Sequence, residues 1–234
     1  MTTANKEPTF SIILPVYHES KNINIIIKHI KKIESIYSYE IIIVDCSTDQ
    51  DTIKAIKYNK VISITSKKSR SQQMNAGAKA TSGKILIFLH ADTKLPNNAF
   101  SDIKKVIDTD EYVAGAFRLS IKSDRTVFKI ISKFINFRTM ITRIPYGDQC
   151  IFIKKDYFEK IGGYKNIAIM EDIELMRRIK RNGDEICIIP KYVKTSSRRW
   201  EKEGIIRCTL RNWMIRFFYY IGIHPDRLVK FYKP

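Results

Sequence analysis

The first ninety residues alternate between apolar runs and segments with a helical period. Four apolar runs typical of buried strands lie at Phe10–Val16, Glu40–Val44, Val61–Ile64 and Ile85–Leu89. Isoleucines between the first two runs recur with the helical period and predict a helix capped by Ser20. This alternation favours an α/β fold built on a parallel, doubly wound sheet.

The second half of the chain predicts a less regular set of elements. Strands are expected at Tyr112–Leu119, Cys150–Lys154 and Ile186–Ile189. Helices are expected at Ser69–Ala78, Arg125–Arg143, from a cap at Asp156 to Gly162, from Ile169 to Gly183, and lastly over Gly204–Gly222. Because no repeat or Gly/Ser linker separates these elements, we expect a single domain over residues 1–234.

Polar side chains leave the carboxyl ends of three predicted strands. They are Tyr17 and Glu19, Asp45, and the pair His90 and Asp92. Ligands bind in the crevice outside such strand ends, and an acid at the place of Asp45 would hold a base or ribose. His90 and Asp92, one residue apart, would point the same way from an extended backbone. They would then form half of a cation site.

Composition narrows the class of protein without deciding it. The chain has 234 residues with 44% hydrophobic and 28% charged residues, as in globular proteins. A net charge of +18 favours polyanionic partners, namely nucleic acid, anionic lipid or phosphorylated substrates, although part of the surplus is compatible with solvated surface. The four cysteines lack paired spacing, so free thiols are expected rather than a zinc site or disulfides.

The last predicted helix combines basic and aromatic residues. Arg207, Arg211 and Arg216 alternate with apolar positions that include Trp213 and Phe217. Such a helix can lie on an anionic bilayer or pack on its own domain, and both interpretations stay open. Neither a signal peptide nor a membrane-spanning run is predicted. We therefore expect a cytoplasmic location, with peripheral contact to the inner face of the membrane as an open alternative.

Six motifs together resemble a family 2 glycosyltransferase with the GT-A fold. In chain order they are Ser11–Glu19, Ile43–Asp49, Leu89–Thr93, Gly147–Gln149, Met170–Asp172 and Arg198–Trp200. The nearest likeness is the compact subgroup labelled arsenosugar-biosynthesis glycosyltransferases, which has His-Ala-Asp-Thr in place of Asp-x-Asp. The resemblance implies a Rossmann-like three-layer sandwich with a central, mostly parallel sheet and a C-terminal basic aromatic helix.

The resemblance also implies a donor site. The donor would be a nucleotide-diphosphate sugar, a UDP- or GDP-sugar, bound together with Mn2+ or Mg2+. The implied donor and metal residues are Pro15, Tyr17 and Glu19 around the nucleoside, Asp45 on the base, Arg70 by the base or phosphates, and Asp92 with His90 on the metal. Residues 10–110 would be the nucleotide-sugar-binding half, residues 111–203 the acceptor and catalytic half, and residues 204–234 a helical tail.

The resemblance further implies inverting transfer of the sugar to an acceptor hydroxyl or phosphate. Asp172 would be the general base and Glu171 would support the acceptor site. Arg199 and Trp200 match the end of the family's Gln-x-x-Arg-Trp motif. The sequence departs from the family pattern at His90, which favours a softer ion than Mg2+, and at Ser196, which stands in place of Gln and puts that motif's acceptor role in doubt.

Two other functions compete with this one. A nucleotidyltransferase is also an α/β enzyme, but it would normally have a basic, Gly-rich loop after the first strand, where this chain has the acidic, glycine-free segment Pro15–Glu19. A nucleic-acid-binding protein is suggested by the net charge alone, and no nucleic-acid-binding motif accompanies it. No nucleic-acid partner is therefore expected.

Overall fold

The computed structural model describes residues 7–33 and 35–232. Within these ranges the strands are β1 Phe10–Val16, β2 Tyr39–Asp45, β3 Ile62–Thr65, β4 Ile85–Phe88, β5 Thr93–Lys94, β6 Tyr112–Lys122, β7 Ile151–Lys154 and β8 Glu185–Ser196. They form one sheet in the order β3-β2-β1-β4-β7-β6-β8-β5. Only β5 and β7 run against the other strands of this described sheet, so it is mostly parallel, as predicted.

Helices cover both faces of the sheet. Their bounds are α1 Ile23–Lys31, α2 Asp51–Lys54, α3 Arg70–Lys79, α4 Ala99–Ile107, α5 Thr126–Thr142, α6 Lys155–Lys160, α7 Glu171–Arg181, α8 Arg198–Glu203, α9 Ile205–Tyr220 and α10 Pro225–Tyr232. Apolar residues of α1, α4 and α5 share a core with one face of the sheet. Those of α3, α6 and α7 share a second core with the other face. The predicted three-layer α/β class is confirmed.

Helix α3 joins the carboxyl ends of the first two strands. Strand β1 pairs in parallel with β2, so that Val16 lies opposite Asp45. The buried amide of Gln73 donates hydrogen bonds of 2.8 Å to the carbonyl oxygens of both Val16 and Val44. Since an unpaired buried carbonyl is costly, this amide fixes the position of α3 over both strand ends. The crevice expected at this edge therefore has a rigid floor.

Two predicted helix caps are wrong. Helix α1 begins at Ile23 after Asn22, and Ser20 lies in the turn before it, where the amides of Asn22 and Ile23 donate to the carbonyl of Glu19. Helix α6 begins at Lys155, so that Asp156 lies inside its first turn. A backbone turn therefore starts α1 in place of the Ser20 side chain, whereas Oδ1 of Asp156 accepts a 2.7 Å hydrogen bond from the amide of Tyr157 from within the first turn of α6.

The strand that precedes His90 and Asp92 is shorter than predicted. Strand β4 ends at Phe88, and the chain turns at residues 91–92 instead of staying extended, with the amide of Thr93 donating to the carbonyl of His90 at 3.1 Å. The prediction that an extended backbone aligns His90 with Asp92 is therefore wrong. The turn leads directly into β5, which pairs with the end of β8.

Strand β8 is much longer than the predicted run Ile186–Ile189. It continues to Ser196 and pairs in parallel with β6 along its length, with register shifts between Tyr112 and Ala114 and between Phe117 and Arg118. A polar second half hides this strand in the sequence, because neither apolar alternation nor an apolar run marks it. The extension brings Ser196 and the following helix α8 to the edge of the sheet where β4 ends.

The chain closes with two helices where the sequence predicts one. Helix α9 ends at Tyr220, and α10 folds back so that Leu228 and Ile215 bury Ile169 in a small third core. Gly162 and Gly183 follow α6 and α7 with φ of 80° and 83°, as predicted for helix-ending glycines. Within the described ranges, no helix is both long and apolar enough to span a bilayer.

Candidate active site

A cavity of about 450 Å3 gathers side chains from distant parts of the chain. Its charged and aromatic lining includes Arg70, His90, Asp92, Tyr146, Asp148, Glu171, Asp172, Arg199, Trp200, Trp213 and Arg216. The predicted metal pair, the predicted base and the predicted Arg-Trp motif therefore share one cavity. The lining side chains reach the cavity from the starts of α3 and α7, from the turn after β4 and from α8.

Gly147 holds the predicted base beside His90. Its amide donates a 2.7 Å hydrogen bond to Oδ2 of Asp172, and Oδ1 accepts one of 2.7 Å from the amide of Ile173. A Cβ atom built on Gly147 would lie 3.1 Å from Nε2 of His90 and 3.6 Å from Oδ2 of Asp172. Absence of a side chain at Gly147 therefore lets the imidazole and the carboxylate approach each other.

The imidazole of His90 is neutral and has a nitrogen available. Burial, with the charge of Arg70, lowers its pKa to about 3. In the described chain its Nε2 atom is buried without a hydrogen-bond partner. Burial, followed by the charge of Glu19, raises the pKa of nearby Asp92 above its usual range. A bound cation would give the buried nitrogen of His90 a partner and would stabilise the ionised form of Asp92, which burial disfavours.

Acidic groups concentrate around Asp172 in the cavity. Burial and the charge of Asp172 raise the pKa of Asp148 to about 6 and that of Glu171 to about 7. Arg70 is the opposing charge: burial disfavours its guanidinium, but the charges of Glu171, Tyr232 and Asp172 outweigh burial and raise its pKa. Crowding of like charges with perturbed pKa values is typical of functional sites.

The predicted nucleoside residues lie beside the cavity and do not line its described walls. Asp45 is fully buried, its Oδ1 accepts from the amide and hydroxyl of Ser47, and its Oδ2 has no partner in the described structure. Pro15 lies within β1. Tyr17 is 44% exposed, and the ammonium of Lys68 lies 3.8 Å from its ring centroid.

Glu19 connects this outer region to the cavity. It forms an ion pair of 2.6 Å with Arg198, and its charge acts on Asp92. Arg70 acts on both regions too, because its charge opposes the rise in the pKa of Cys46, the neighbour of Asp45. The predicted residues therefore form two adjoining parts of one crevice.

The Arg-Trp pair reaches the cavity from α8. Arg199 pairs with Glu203 at 3.2 Å and donates to the hydroxyl of Tyr232 on α10. Trp200 packs edge-on against Phe128, with ring centroids 6.2 Å apart. The last helix therefore holds Arg199 in place, a contact that the sequence did not indicate.

Two arginines that the sequence analysis did not assign to the site lie close to Asp172. The guanidinium of Arg138 lies 3.4 Å from the ring centroid of Tyr146, and Arg216 donates a 2.8 Å hydrogen bond to the hydroxyl of the same tyrosine. Burial and the charge of Arg216 lower the pKa of Arg138 to about 10. No spacing rule links α5, the turn and α9, so sequence alone offered no signal for this cluster.

A second acidic group lies outside the cavity. One carboxylate oxygen each from Asp49 and Asp51 and a ring nitrogen of His18 lie within 4.8 Å of one another. His18 Nδ1 lies 3.2 Å from Oδ1 of Asp51, so the members already contact each other. His18 and Asp49 are exposed, and the group follows the first two strands on the nucleoside side of the crevice.

Three solved structures with this architecture are of a sugar transferase or of proteins bound to a sugar or a nucleotide. A mannosyltransferase from Pyrobaculum calidifontis, PcManGT, in complex with GDP-Man and Mn2+, aligns with a TM-score of 0.66 and 16% identity over 94% of this chain and 67% of its own. S. aureus TarS in complex with UDP aligns with a TM-score of 0.64 and 20% identity over 80% of this chain and 60% of its own. GalNAc-T7 with UDP, GalNAc and Mn2+ aligns with a TM-score of 0.64, 15% identity and 82% coverage of this chain, against 44% of its own. The fold is that of the GT-A glycosyltransferases.

Sequence comparison identifies the family. The model of glycosyl transferase family 2 matches residues 11–162, and the chain belongs to that family. A probable glycosyltransferase, YdaM of Bacillus subtilis (strain 168), is 25% identical over 228 residues, which covers 84% of this chain. The chain spans about half of that relative's length, namely 51%. The predicted family and fold are confirmed, while the arsenosugar-biosynthesis subgroup stays a prediction.

Proposed function

We propose that this protein transfers a sugar, with inversion, from a nucleotide-diphosphate sugar to an acceptor hydroxyl or phosphate. The observation that carries this proposal is the shared cavity, in which Asp92 and Asp172 come together although eighty residues of sequence separate them. Family membership favours this function over nucleotide transfer and over nucleic-acid binding.

The donor nucleoside would occupy the outer part of the crevice, in residues 10–110. The free Oδ2 atom of buried Asp45 can accept a hydrogen bond from a base, and the ring of Tyr17 offers an exposed face beside it. PcManGT binds GDP-Man, and TarS binds UDP and UDP-GlcNAc, which supports a GDP- or UDP-sugar as donor here. Arg70, between the two parts of the crevice, would meet the diphosphate because a guanidinium binds phosphate oxygens in pairs.

His90 and Asp92 would hold a divalent cation. The fit rests on the buried, unpaired Nε2 atom of His90 and on the raised pKa of the Asp92 carboxylate. A cation would give Nε2 of His90 a partner and would stabilise the charged form of Asp92. An imidazole ligand favours Mn2+ over Mg2+, and PcManGT and GalNAc-T7 both contain Mn2+. When bound, the cation would neutralise charge that develops on the departing diphosphate.

Asp172 would act as the general base. In an inverting transfer the acceptor attacks the anomeric carbon from the side opposite the leaving diphosphate, so the base acts on the acceptor proton and not on the diphosphate. Asp172 reaches the cavity from α7, and two backbone amides hold its carboxylate in one orientation. Both oxygens already accept a hydrogen bond, and each retains a lone pair for the acceptor proton.

Glu171 and the arginine cluster would shape the acceptor side. Glu171 is buried with a pKa of about 7 beside Arg70, so it can donate or accept a hydrogen bond near neutral pH. Arg138 and Arg216 place positive charge next to the base, and no ion pair neutralises either within the described residues. Two guanidinium groups at this position would suit an acceptor that carries a phosphate.

A donor screen tests the proposal. Purified protein would be incubated with UDP- and GDP-sugars and Mn2+ or Mg2+, and the release of free sugar or nucleotide would be measured. We expect hydrolysis of one donor class, faster with Mn2+, and a product sugar of inverted anomeric configuration by NMR. If no nucleotide sugar is bound or cleaved with either metal, the proposed function is wrong.

A further inference from the structure

Helices α5 and α9 present large apolar side chains to solvent. The exposed ones are Ile130, Phe134, Phe137, Met140 and Ile141 on α5, and Ile206, Leu210, Trp213, Met214, Phe217 and Tyr220 on α9. Phe137 is 65% exposed and Phe217 61%. Monomeric proteins rarely expose so many large apolar residues in one place, and such patches mark interaction sites.

The two helices form one continuous surface at the mouth of the cavity. The rings of Phe134 and Trp213 lie 5.0 Å apart, one from each helix. Both rings also line the cavity, together with Ile131 and Ile135 of α5. We call the exposed residues of α5 and α9 the apolar face. It begins where the cavity ends.

The charge of the apolar face has a single sign. Neither α5 nor α9 contains an acidic residue. Lys129, Lys133 and Arg207 are exposed beside the apolar side chains. Arg211 and Arg216 are not available, because they bind Glu203 and Tyr146 inside the protein. The basic contribution therefore comes from both helices and not only from the arginines of α9.

We propose that the apolar face binds an anionic lipid bilayer. Amphipathic helices with apolar and aromatic residues on one side and lysine or arginine beside them lie in the headgroup region of such membranes. Trp213 and Tyr220 suit this position because their rings are apolar and their N–H and O–H groups are polar. Both helices would lie flat in the plane of the headgroups, with the mouth of the cavity turned towards the lipid.

Charge favours lipid over a second copy of the chain as the occupant. A two-fold contact between two apolar faces would bring Lys129, Lys133 and Arg207 of one copy towards the same residues of the other. Like charges opposed at an interface are unfavourable, whereas phosphate headgroups would neutralise them. The bilayer is therefore the occupant whose charge complements the face.

Vesicle sedimentation tests this inference without any donor, so its result is independent of the proposed transfer. The protein would be mixed at low salt with phosphatidylcholine vesicles that contain phosphatidylglycerol and with vesicles of phosphatidylcholine alone. We expect binding to the anionic vesicles that weakens as salt is added. The double variant Phe137→Gln/Phe217→Gln, which leaves the cavity lining intact, should bind at least about tenfold more weakly.

Matched variants separate the two contributions. The double variant Lys129→Gln/Lys133→Gln should reduce binding to anionic vesicles. The control is Lys79→Gln/Lys160→Gln, which changes the net charge equally but lies on helices α3 and α6, on the other side of the sheet. This control should bind the vesicles as the unaltered protein does. Ile25→Gln removes an exposed apolar residue outside the face and should also have no effect.

Three results would overturn the inference. They are no sedimentation of the unaltered protein with anionic vesicles, equal binding by Phe137→Gln/Phe217→Gln, and a dimer in sedimentation velocity that this double variant converts to monomer. The last result would identify a second copy as the occupant of the face. Unchanged melting temperatures in all variants would show that the comparison is between folded proteins.

Discussion

At the scale of single residues, backbone amides hold the carboxylate of Asp172. The amides of Gly147 and Ile173 each donate to one of its oxygens at 2.7 Å. Amide donors keep a carboxylate oriented without neutralising it, so its lone pairs remain available to a substrate proton. Burial and the charge of Asp172 raise the pKa of the neighbouring acid Asp148 to about 6 and that of Glu171 to about 7.

Asp172→Asn should retain donor binding and lose transfer by roughly three orders of magnitude. The substitution removes the base. The NH2 group of the new asparagine would also face one of the two backbone N–H donors that now bind the carboxylate. Single-turnover transfer assays and nucleotide titrations would measure the two effects. Asp124→Asn, in an exposed loop, is the matched control and should leave both quantities unchanged. Near-normal turnover by Asp172→Asn would remove this residue from the mechanism.

Glu171 should make the metal-free protein more stable in mild acid. Its folded pKa of about 7 lies above the usual value, so the folded state holds a proton that the unfolded state releases between about pH 5 and pH 7. The stability is fully present below the unfolded pKa and is lost as pH rises through about 7. The contribution of Glu171 to the stability of the metal-free protein should therefore fall between about pH 5.5 and pH 8, and comparison with a variant at this position isolates it from other titrating groups.

The variant Glu171→Gln isolates this contribution, because its amide does not titrate. Its melting temperature should fall less over the same pH range, while Glu185→Gln, at an exposed position, should behave like the unaltered protein. Identical pH profiles for Glu171→Gln and the unaltered protein would show that Glu171 titrates near its ordinary pKa.

At the scale of elements, the short 3-10 turn Gly147–Gln149 connects α5 to β7 and positions Gly147 in the site. The buried side chain of Gln149 donates to the carbonyl of Phe117 and accepts from the hydroxyl of Thr139 at 3.0 Å each. These bonds tie the turn to strand β6 and helix α5, so Gly147 cannot move away from His90 and Asp172. The geometry of the site therefore depends on an element of three residues.

Gly147→Ala should lower kcat by between about 10-fold and 100-fold, the cost of a small misplacement of reacting groups. The added Cβ would approach Nε2 of His90 to 3.1 Å and Oδ2 of Asp172 to 3.6 Å, so the imidazole must shift. Since Gly147 has no positive φ, the backbone is not strained and the melting temperature should change little. Steady-state kinetics and thermal unfolding would measure both. Unchanged kcat would mean that the spacing of His90 and Asp172 is not critical.

At the scale of the whole molecule, sequence patterns predicted the sheet and the strand-end residues better than they predicted the second wall of the cavity. The apolar runs that end at Asp45 and near Asp92 predict buried strands. Because parallel strands bring the residues after their carboxyl ends to one edge of the sheet, these runs also predict that the two acids lie near the same crevice. The Arg138–Tyr146–Arg216 cluster has no such pattern in the sequence, since it depends on how α5 and α9 pack. The polar end of β8 and the short helix α10 were missed for the same reason, because tertiary contacts and not local periodicity define them.

The most direct test of the account is nucleotide binding by the unaltered protein and by Asp92→Ala, each titrated with UDP and GDP in Mn2+ and in chelator. If the crevice binds a donor diphosphate through a cation, the unaltered protein will bind one nucleotide much more tightly with Mn2+, and Asp92→Ala will lose that metal-dependent gain. Equal affinity with and without metal in the unaltered protein, or a full metal-dependent gain in Asp92→Ala, would contradict the account.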